Sequence, residues 1–351
     1  MRLRPTLLLS SVAVLLTACD QPVTAPEASA PVSGITALPS PLSQAAPNAV
    51  LGEGVTWQGL DVGTLASGSG DLQAFLVATN LELAAMGAGV AIEKAEWFGP
   101  ASDVNELRVV FANDRTLRLP SHWVPGDPRR GSSGLDLTQA SFPFFQIANV
   151  ATPAQIPTEG IVDSAFASWN ALQCTSMQTR KVGLAPGVFP SAILSVGGFA
   201  NDPFAADIAT IGWLPGGIFE LIGGPDFRAN VLGVTFTFSF VDENGNPTDI
   251  DRDGRTDTAL AEIWYNDDFQ WAVADLGPFD PRIDVESVVL HEVGHALSMD
   301  HFGRLTVHVT RGGVRVQASP RAVMNASYIG TLRDPLGTDV ATHCSNFANW
   351  M

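Results

Sequence analysis

The chain has few positive charges, and lysine is the scarcest of them. Lysine and arginine together number 19 among 351 residues, against 36 aspartates and glutamates, and only two of the 19 are lysines. The formal net charge is therefore −17, which repels the phosphate backbone of a nucleic acid. No cluster of basic residues offsets this repulsion, so we expect no nucleic-acid partner.

Charged residues as a whole are also scarce, at 16% of the chain, whereas hydrophobic residues make up 46%. This composition excludes a largely disordered chain, and it excludes a coiled coil or a collagen. The length allows two domains of ordinary size. With 33 glycines and 24 prolines in addition, the sequence predicts a folded protein with a sizeable core and many loops.

Long apolar runs are missing as well. The apolar stretch Leu7–Leu16 is much shorter than the roughly eighteen residues that a membrane-spanning helix needs. Because Arg2 and Arg4 precede it, the stretch is typical of the hydrophobic region of an export signal. We therefore expect the mature protein to lie outside the cytoplasm.

The signal ends in the sequence LTAC at residues 16–19. This sequence resembles the lipobox of bacterial lipoproteins, which implies that residues 1–18 are removed and that Cys19 is lipidated. The alternative is an ordinary secretory signal with a chance cysteine. Residues 19–50 are rich in proline and alanine and predict an extended tether. The expected location is the bacterial cell envelope, with the lipid anchoring the protein to a membrane.

Only three cysteines are present. If Cys19 carries lipid, Cys174 and Cys344 remain in an oxidising compartment, where a disulfide between them is expected. It would close a loop of about 170 residues and contribute at most roughly 5 kcal/mol in the chain-entropy description. Two buried free thiols are the alternative.

Two folded regions are expected after the tether, a small α+β domain of unknown role at residues 51–130 and a larger domain at residues 131–351. The pair Arg129–Arg130 near their boundary is either a processing site or an ordinary solvated pair. The small domain is expected to contain a helix at Leu72–Met86 and strands at Val90–Phe98, Glu106–Ala112 and Thr116–Leu119. The larger domain is expected to contain helices at Ile161–Leu172 and Val285–Leu297, a half-buried strand at Val234–Phe240 and a further strand at Ala261–Asn266.

Residues 291–301 read HEVGHALSMDH. On a helix, His291 and His295 lie on one face and can bind a single zinc ion. Glu292 lies beside them, where it can hold a water molecule without binding the metal, and His301 can supply a third nitrogen. Three protein ligands leave a fourth position for water, which is typical of a catalytic zinc site. The alternative is a set of ordinary core histidines. The remaining histidines are expected to be structural or to lie at the surface: His122, His308 and His343.

The motif resembles that of the metzincin zinc peptidases, and most closely its matrixin form. These enzymes carry a methionine turn beneath the zinc, which AVMNASY at residues 322–328 matches. The resemblance implies that Met324 is the turn residue and that Tyr328 lies beside the substrate pocket. It also implies an α+β catalytic domain with a twisted, mostly parallel sheet, an antiparallel edge strand at Ala261–Asn266 along the cleft, and an active-site helix.

Two features depart from the matrixin pattern. Ser298 occupies the position of a glycine that commonly has a positive φ, so it must either be strained or turn differently. The chain between His301 and Met324 is also longer than usual, and the alternation at Leu305–Ala318 predicts an inserted hairpin. Both departures concern the shape of the pocket more than the binding of zinc.

The segment DIDRDGRTD at residues 249–257 resembles the start of an EF-hand calcium loop. Aspartates occupy loop positions 1, 3, 5 and 9 and glycine occupies position 6, a spacing that lets carboxylates converge on one cation. Position 12 is Leu260 rather than glutamate, and strands flank the loop, so we expect a calcium loop without an EF-hand fold. A polar hairpin tip is the alternative. The predicted calcium ligands are Asp249, Asp251, Asp253 and Asp257.

These features together predict a zinc-dependent endopeptidase that acts on a protein or peptide substrate. Zinc would acidify a bound water molecule, Glu292 would take its proton, and Tyr328 would assist. The rival prediction is a non-catalytic surface-binding lipoprotein that calcium and zinc stabilise. No cysteine other than Cys19 precedes the larger domain, so any inhibition by residues 51–130 must be steric or use a carboxylate such as Asp127.

Overall fold

The structure is a computed structural model that describes most of the chain after residue 70. It describes residues 71–100, 109–111, 121–130, 141–146, 156–184, 187–311 and 313–350. Cys19, the signal, the tether and the strand expected at Thr116–Leu119 lie outside the described residues. All the described residues belong to one unit, which extends from Ser40 to Met351.

The described elements alternate between strands and helices from residue 141 to residue 240. They are α1 (Leu72–Ala85), β1 (Val90–Pro100), β2 (Val109–Phe111), β3 (Ser141–Gln146), α2 (Thr158–Asn170), β4 (Gln178–Lys181), α3 (Ala192–Val196), β5 (Ile208–Leu214), α4 (Gly216–Asn230), β6 (Gly233–Phe240), β7 (Thr258–Asn266), β8 (Gln270–Ala272), β9 (Arg282–Asp284), α5 (Val285–Ala296), β10 (Arg304–Thr310), β11 (Gly313–Ser319), β12 (Ser327–Tyr328) and α6 (Gly337–Asn346).

Eight of these strands form one mixed sheet in the order β12-β1-β6-β7-β5-β3-β4, with β2 paired to β1. The pairs β12–β1, β7–β5, β5–β3 and β3–β4 are parallel. Strand β6 runs antiparallel to both of its neighbours, and β2 runs antiparallel to β1. The chain is therefore a mixed α/β protein, which is compatible with the expected α+β class.

The predicted edge strand is wrong. Strand β7, which contains Ala261–Asn266, lies in the middle of the sheet between β5 and β6. Each of its residues is buried, because helices cover both faces of the sheet and neighbouring strands cover both edges of β7. The two antiparallel pairs that involve β6 lie within the sheet, whereas the short strand β2, antiparallel to β1, pairs with no other described strand.

The sheet continues across residue 130, where the sequence predicts a domain boundary. Strand β1, which precedes that position, pairs with β6, which follows it. The Trp123 indole N–H donates to the carbonyl of Ala296 at 2.8 Å, which ties the segment before the boundary to α5. Instead of forming a separate small domain, the described residues on the two sides share one sheet and one core.

The helices follow local signals in the sequence. Helix α1 begins at Asp71, whose carboxylate accepts a hydrogen bond from the backbone N–H of Gln73 at 2.9 Å, and it ends one residue before its predicted end. Helix α5 begins at Asp284, which accepts from the backbone N–H of Ser287 at 3.0 Å. Both caps satisfy N–H groups that the first turn leaves without helical partners.

The core lies on both faces of the sheet. Val234 and Phe236 of β6 pack with residues of α1 and α4, whereas Ile263 and Tyr265 of β7 pack with residues of α2 and α5. The prediction of a half-buried strand at Val234–Phe240 is wrong, because every residue of β6 is buried. Helix α5 covers the face that the alternation assigns to solvent, where the Thr235 hydroxyl of β6 donates to Glu292.

Covalent and local features beyond the sheet match the sequence expectations. Cys174 and Cys344 form a disulfide, which confirms the predicted pair and links the segment after α2 to α6. Strands β10 and β11 form the inserted hairpin predicted at Leu305–Ala318. Among the described residues, no helix is both long and apolar enough to cross a membrane.

Candidate metal centre

Three histidines meet at the end of helix α5. His291 and His295 lie one turn apart on the helix, and His301 follows in the loop after it. The Nε2 atoms of His291 and His295 are 3.0 Å apart, and His301 Nε2 lies 3.1 Å and 3.0 Å from them. Three nitrogens around a tetrahedral zinc ion would lie about 3.3 Å apart, given Zn–N bonds of about 2.0–2.1 Å.

The hydrogen bonds of the histidines favour a bound cation. His291 Nδ1 is 2.6 Å from the carbonyl oxygen of Val323, and His295 Nδ1 is 2.7 Å from that of Met299. A carbonyl only accepts, so each Nδ1 carries the proton and each Nε2 presents a lone pair to the centre. Burial and then the Lys94 charge lower the pKa of His295 to about 3. Such lone pairs would repel one another without a cation between them, so the residues fit a divalent ion such as zinc.

The turn after the helix brings His301 back to the other two histidines. Ser298 has a φ of 60°. Of the two alternatives that the sequence leaves open, it therefore adopts the strained, left-handed conformation. This conformation costs free energy in a residue with a Cβ. The Asn346 side chain donates to the Ser298 carbonyl at 2.7 Å, so α6 helps to hold this turn.

Met324 lies beneath the histidines and is fully buried. A Cβ at position 294 would lie 2.3 Å from its sulfur atom, which explains why glycine occupies this turn of α5. The backbone N–H groups of Val323 and Met324 donate to the Asp339 carboxylate at 2.8 and 3.1 Å. Asp339 thereby fixes the carbonyl that orients His291. No sequence motif identifies Asp339, because its partners are backbone groups.

The predicted general base lies beside this centre and is also fully buried. A carboxylate oxygen of Glu292 accepts from the Thr235 hydroxyl of β6 at 2.7 Å. Burial raises the pKa of Glu292 well above its ordinary value, and the Thr235 hydroxyl opposes that rise. A Cβ at Gly233 would lie 2.9 Å from the Glu292 side chain, so β6 approaches the carboxylate closely.

Tyr328 lies in β12 and is buried, at 1% exposure. Its hydroxyl accepts a hydrogen bond from the backbone N–H of Asp284 at 3.1 Å. Its ring makes an edge-to-face contact with Phe98, with centroids 6.1 Å apart. The tyrosine therefore lies between the start of α5 and strand β1.

Strand β1 adds three side chains that sequence reasoning does not assign to the site. Phe98 stacks on His291 with ring centroids 3.9 Å apart, and a Glu96 oxygen lies 3.5 Å from His295 Nδ1. Lys94 contacts Glu96 at 2.8 Å and Asp300 at 2.7 Å. Although burial opposes it, the charges of Glu96 and Asp300 raise the pKa of Lys94. The sequence does contain one signal for these side chains. Lys94, one of only two lysines, and Glu96 occupy alternate positions of a mostly apolar strand.

The predicted calcium loop holds two overlapping groups of ligand atoms. One group comprises Asp249, Asp251 and Asp257, and the other comprises His122, Asp251 and Asp253. The four predicted aspartates are thus divided, and His122 joins one group without any spacing signal in the sequence. Asp257 is buried and also contacts Arg129 at 2.6 Å, so a cation bound there would share this carboxylate with a guanidinium group.

Both arginines near residue 130 form ion pairs within the fold, and Arg130 is buried. Arg129 contacts Asp127 and Asp257 at 2.6 Å each, and Arg130 contacts Asp207 at 3.0 Å with only 3% of its surface exposed. This arrangement disfavours the processing-site alternative for the folded chain. The contact with Arg129 also occupies the carboxylate of Asp127, the residue that the sequence suggests as an inhibitory ligand.

The remaining histidines differ in their surroundings. His343 is fully buried and stacks on Trp169 with centroids 5.6 Å apart, and burial lowers its pKa to about 4. This confirms a structural role. The exposed His308 lies in the hairpin strand β10.

The sequence matches no protein-family model and no curated protein. Inferences about function therefore depend on the chemistry of the residues at the centre. Those residues are a triad of imidazoles with converging lone pairs, an adjacent buried carboxylate and a strand that crosses them.

Proposed function

We propose that the chain is a zinc-dependent endopeptidase of the matrixin-like metzincin type. The single observation that carries this proposal is the convergence of three Nε2 atoms within 3.1 Å beside the carboxylate of Glu292. A site with three protein ligands and an adjacent base is typical of catalytic zinc. A purely structural zinc site commonly has four protein ligands and needs no base.

The proposed roles divide between metal binding and proton transfer. His291, His295 and His301 would hold zinc, which when bound supplies Lewis acidity and lowers the pKa of water. Glu292 would accept the proton of the attacking water molecule and would return it to the leaving amine. Thr235 would orient the Glu292 carboxylate through their hydrogen bond. Tyr328 would lie beside the substrate pocket, as the resemblance implies, with its hydroxyl held by the backbone N–H of Asp284.

The test of this function combines metal analysis with an assay on the full chain. We expect one zinc per chain and cleavage of an unfolded protein such as casein, with loss of cleavage when zinc is removed and recovery when it is restored. A chain that binds zinc and cleaves nothing, in any variant that opens the site, would favour the binding-lipoprotein alternative. The complete burial of Glu292 and His291 is the observation that favours that alternative.

We also propose that the loop at residues 249–257 binds calcium. We expect replacement of Asp251, which belongs to both groups of ligand atoms, to abolish the stabilisation by calcium. Calcium at a hundredfold excess over its dissociation constant contributes about 2.7 kcal/mol to the free energy of unfolding. Melting of wild type and Asp251→Ala, with and without calcium, measures the difference.

Asp242→Ala is the matched control for this experiment. Asp242 also accepts backbone hydrogen bonds in an exposed turn, but it belongs to neither group of ligand atoms. Its variant should retain the response to calcium. Equal melting temperatures of the wild type with and without calcium would contradict calcium binding and favour the alternative of a polar hairpin tip.

The proposed location is the bacterial cell envelope, with the lipid on Cys19 as the anchor. We expect Cys19→Ser to move the protein from the membrane fraction to the soluble fraction, because the apolar stretch of the signal is too short to span a bilayer and acyl chains supply the membrane affinity. Fractionation followed by immunoblotting measures the distribution. Retention of the variant in membranes at the wild-type level would contradict the anchor.

A further inference from the structure

Strand β1 fills the space between β6 and β12. Residues Val90–Phe98 pair antiparallel with β6 along nearly its whole length, from Phe240 to Gly233. On its other edge, Gly99 and Pro100 pair parallel with β12. One continuous segment is therefore hydrogen-bonded to strands on both sides.

The same segment lies directly over the proposed catalytic groups. Phe98 stacks on His291 at 3.9 Å, and its partner in β6, Gly233, lies so close to Glu292 that a Cβ there would be 2.9 Å from that side chain. Glu96 approaches His295 at 3.5 Å. Two histidines of the proposed metal centre are therefore in contact with β1, and the proposed general base lies against β6, the strand with which β1 pairs.

We propose that β1 occupies the position of an extended peptide substrate, so that the chain is latent until β1 leaves. This inference rests on the proposed peptidase function, because it identifies what regulates that site. A strand has two edges for backbone hydrogen bonds. In β6 one edge is paired with β7 and the other with β1. No second peptide can add to β6 while β1 remains.

Displacement of β1 would leave the metal centre complete. The three histidines, Glu292, β6 and β12 all follow residue 130, whereas β1 precedes it. The strand is held by the burial of Val90, Ile92 and Ala95 and by the contacts of Lys94. Its release therefore requires a local opening of the fold rather than a change of side-chain rotamers.

The decisive probe is an extended peptide with a terminal hydroxamate, which joins a strand-forming backbone to a metal-chelating group. We expect binding of this probe to the zinc-loaded full chain to increase hydrogen exchange of the amides at residues 90–100. The amides of α5 should keep their protection. Binding without a change in exchange of β1 would overturn the inference, and so would failure of the probe to bind any form of the chain.

Truncation of Phe98 should favour the open state, since its packing on His291 exists only while β1 is in place. Because apparent affinity scales with the population of the competent state, we expect Phe98→Ala to bind the probe at least about tenfold more tightly. Phe166→Ala is the matched control, because Phe166 is buried in the same core cluster but lies on α2. Equal affinities of Phe98→Ala and Phe166→Ala would contradict the inference.

A cross-link that locks β1 in place provides the converse test. Ala91 and Ser239 are opposite each other in the β1–β6 pair, so the double variant Ala91→Cys/Ser239→Cys can form a disulfide there. The oxidised variant should bind the probe at least about tenfold more weakly than wild type, because almost no competent state remains. Reductant should restore binding to the level of wild type treated in the same way. Unchanged binding in the oxidised form would overturn the inference.

The same experiments separate this inference from the peptidase proposal. If the probe binds and displaces β1 but no form of the chain cleaves a peptide, the proposed function fails and the occupancy of the site by β1 stands. If the locked variant cleaves peptides as fast as wild type, the function stands and β1 is not an inhibitor.

Discussion

Replacement of Glu292 by glutamine should reduce peptide cleavage by roughly 10²- to 10⁴-fold, the usual contribution of a general acid–base group. The amide is nearly isosteric with the carboxylate, and its oxygen can still accept the hydrogen bond from Thr235. Glutamine is not a base, however, and it cannot take a proton from water. Zinc content and melting temperature should therefore remain close to those of wild type.

A second buried glutamate provides the control. Its replacement shows the effect of losing a buried charge without the loss of the proposed base. Glu262 of β7 is fully buried and accepts from the Ser191 hydroxyl at 2.9 Å, at the start of α3. Glu262→Gln removes the same charge in a similarly buried place. Because Glu262 is not the proposed general base, the rate of peptide cleavage by this variant should stay within about tenfold of wild type. Cleavage by Glu292→Gln at the wild-type rate would refute the proposed mechanism.

The cluster of three histidines could be predicted from the sequence because its parts are local. Two histidines four residues apart on a helix must share a face, and Asp284 marks the start of that helix. His301 is also close in sequence, so one turn brings it to the other two. Ser298 illustrates the same point, since the positive φ follows from the requirements of that turn.

The surroundings of the centre could not be predicted, because strand order depends on contacts that are distant in the sequence. Residues 90–98 predict a strand, but nothing local indicates that this strand adds to β6 rather than forming a separate small domain. The same non-local pairing moves β7 from the edge to the middle of the sheet. Asp339 escapes prediction for a related reason, since it acts on backbone groups about fifteen residues away.

Replacement of His295 by alanine should abolish both zinc binding and peptide cleavage, because two imidazoles alone hold zinc poorly. The variant also loses a side chain whose Nδ1 is bonded to the Met299 carbonyl, so the turn towards His301 loses a contact. If zinc binds the native state as proposed, excess zinc stabilises the wild type by mass action, and the variant should lose that stabilisation. Metal analysis and melting curves with and without zinc measure the two effects.

His343→Ala is the matched control, since His343 is fully buried but packs on Trp169 and Phe347. It should lower the melting temperature through lost packing, yet retain one zinc per chain and the stabilisation by zinc. The two histidine variants therefore differ in metal content rather than in burial. If His295→Ala retained one zinc with wild-type affinity, the zinc would have to bind at a place other than the three histidines. The proposal that Glu292 acts beside that metal would then fail as well.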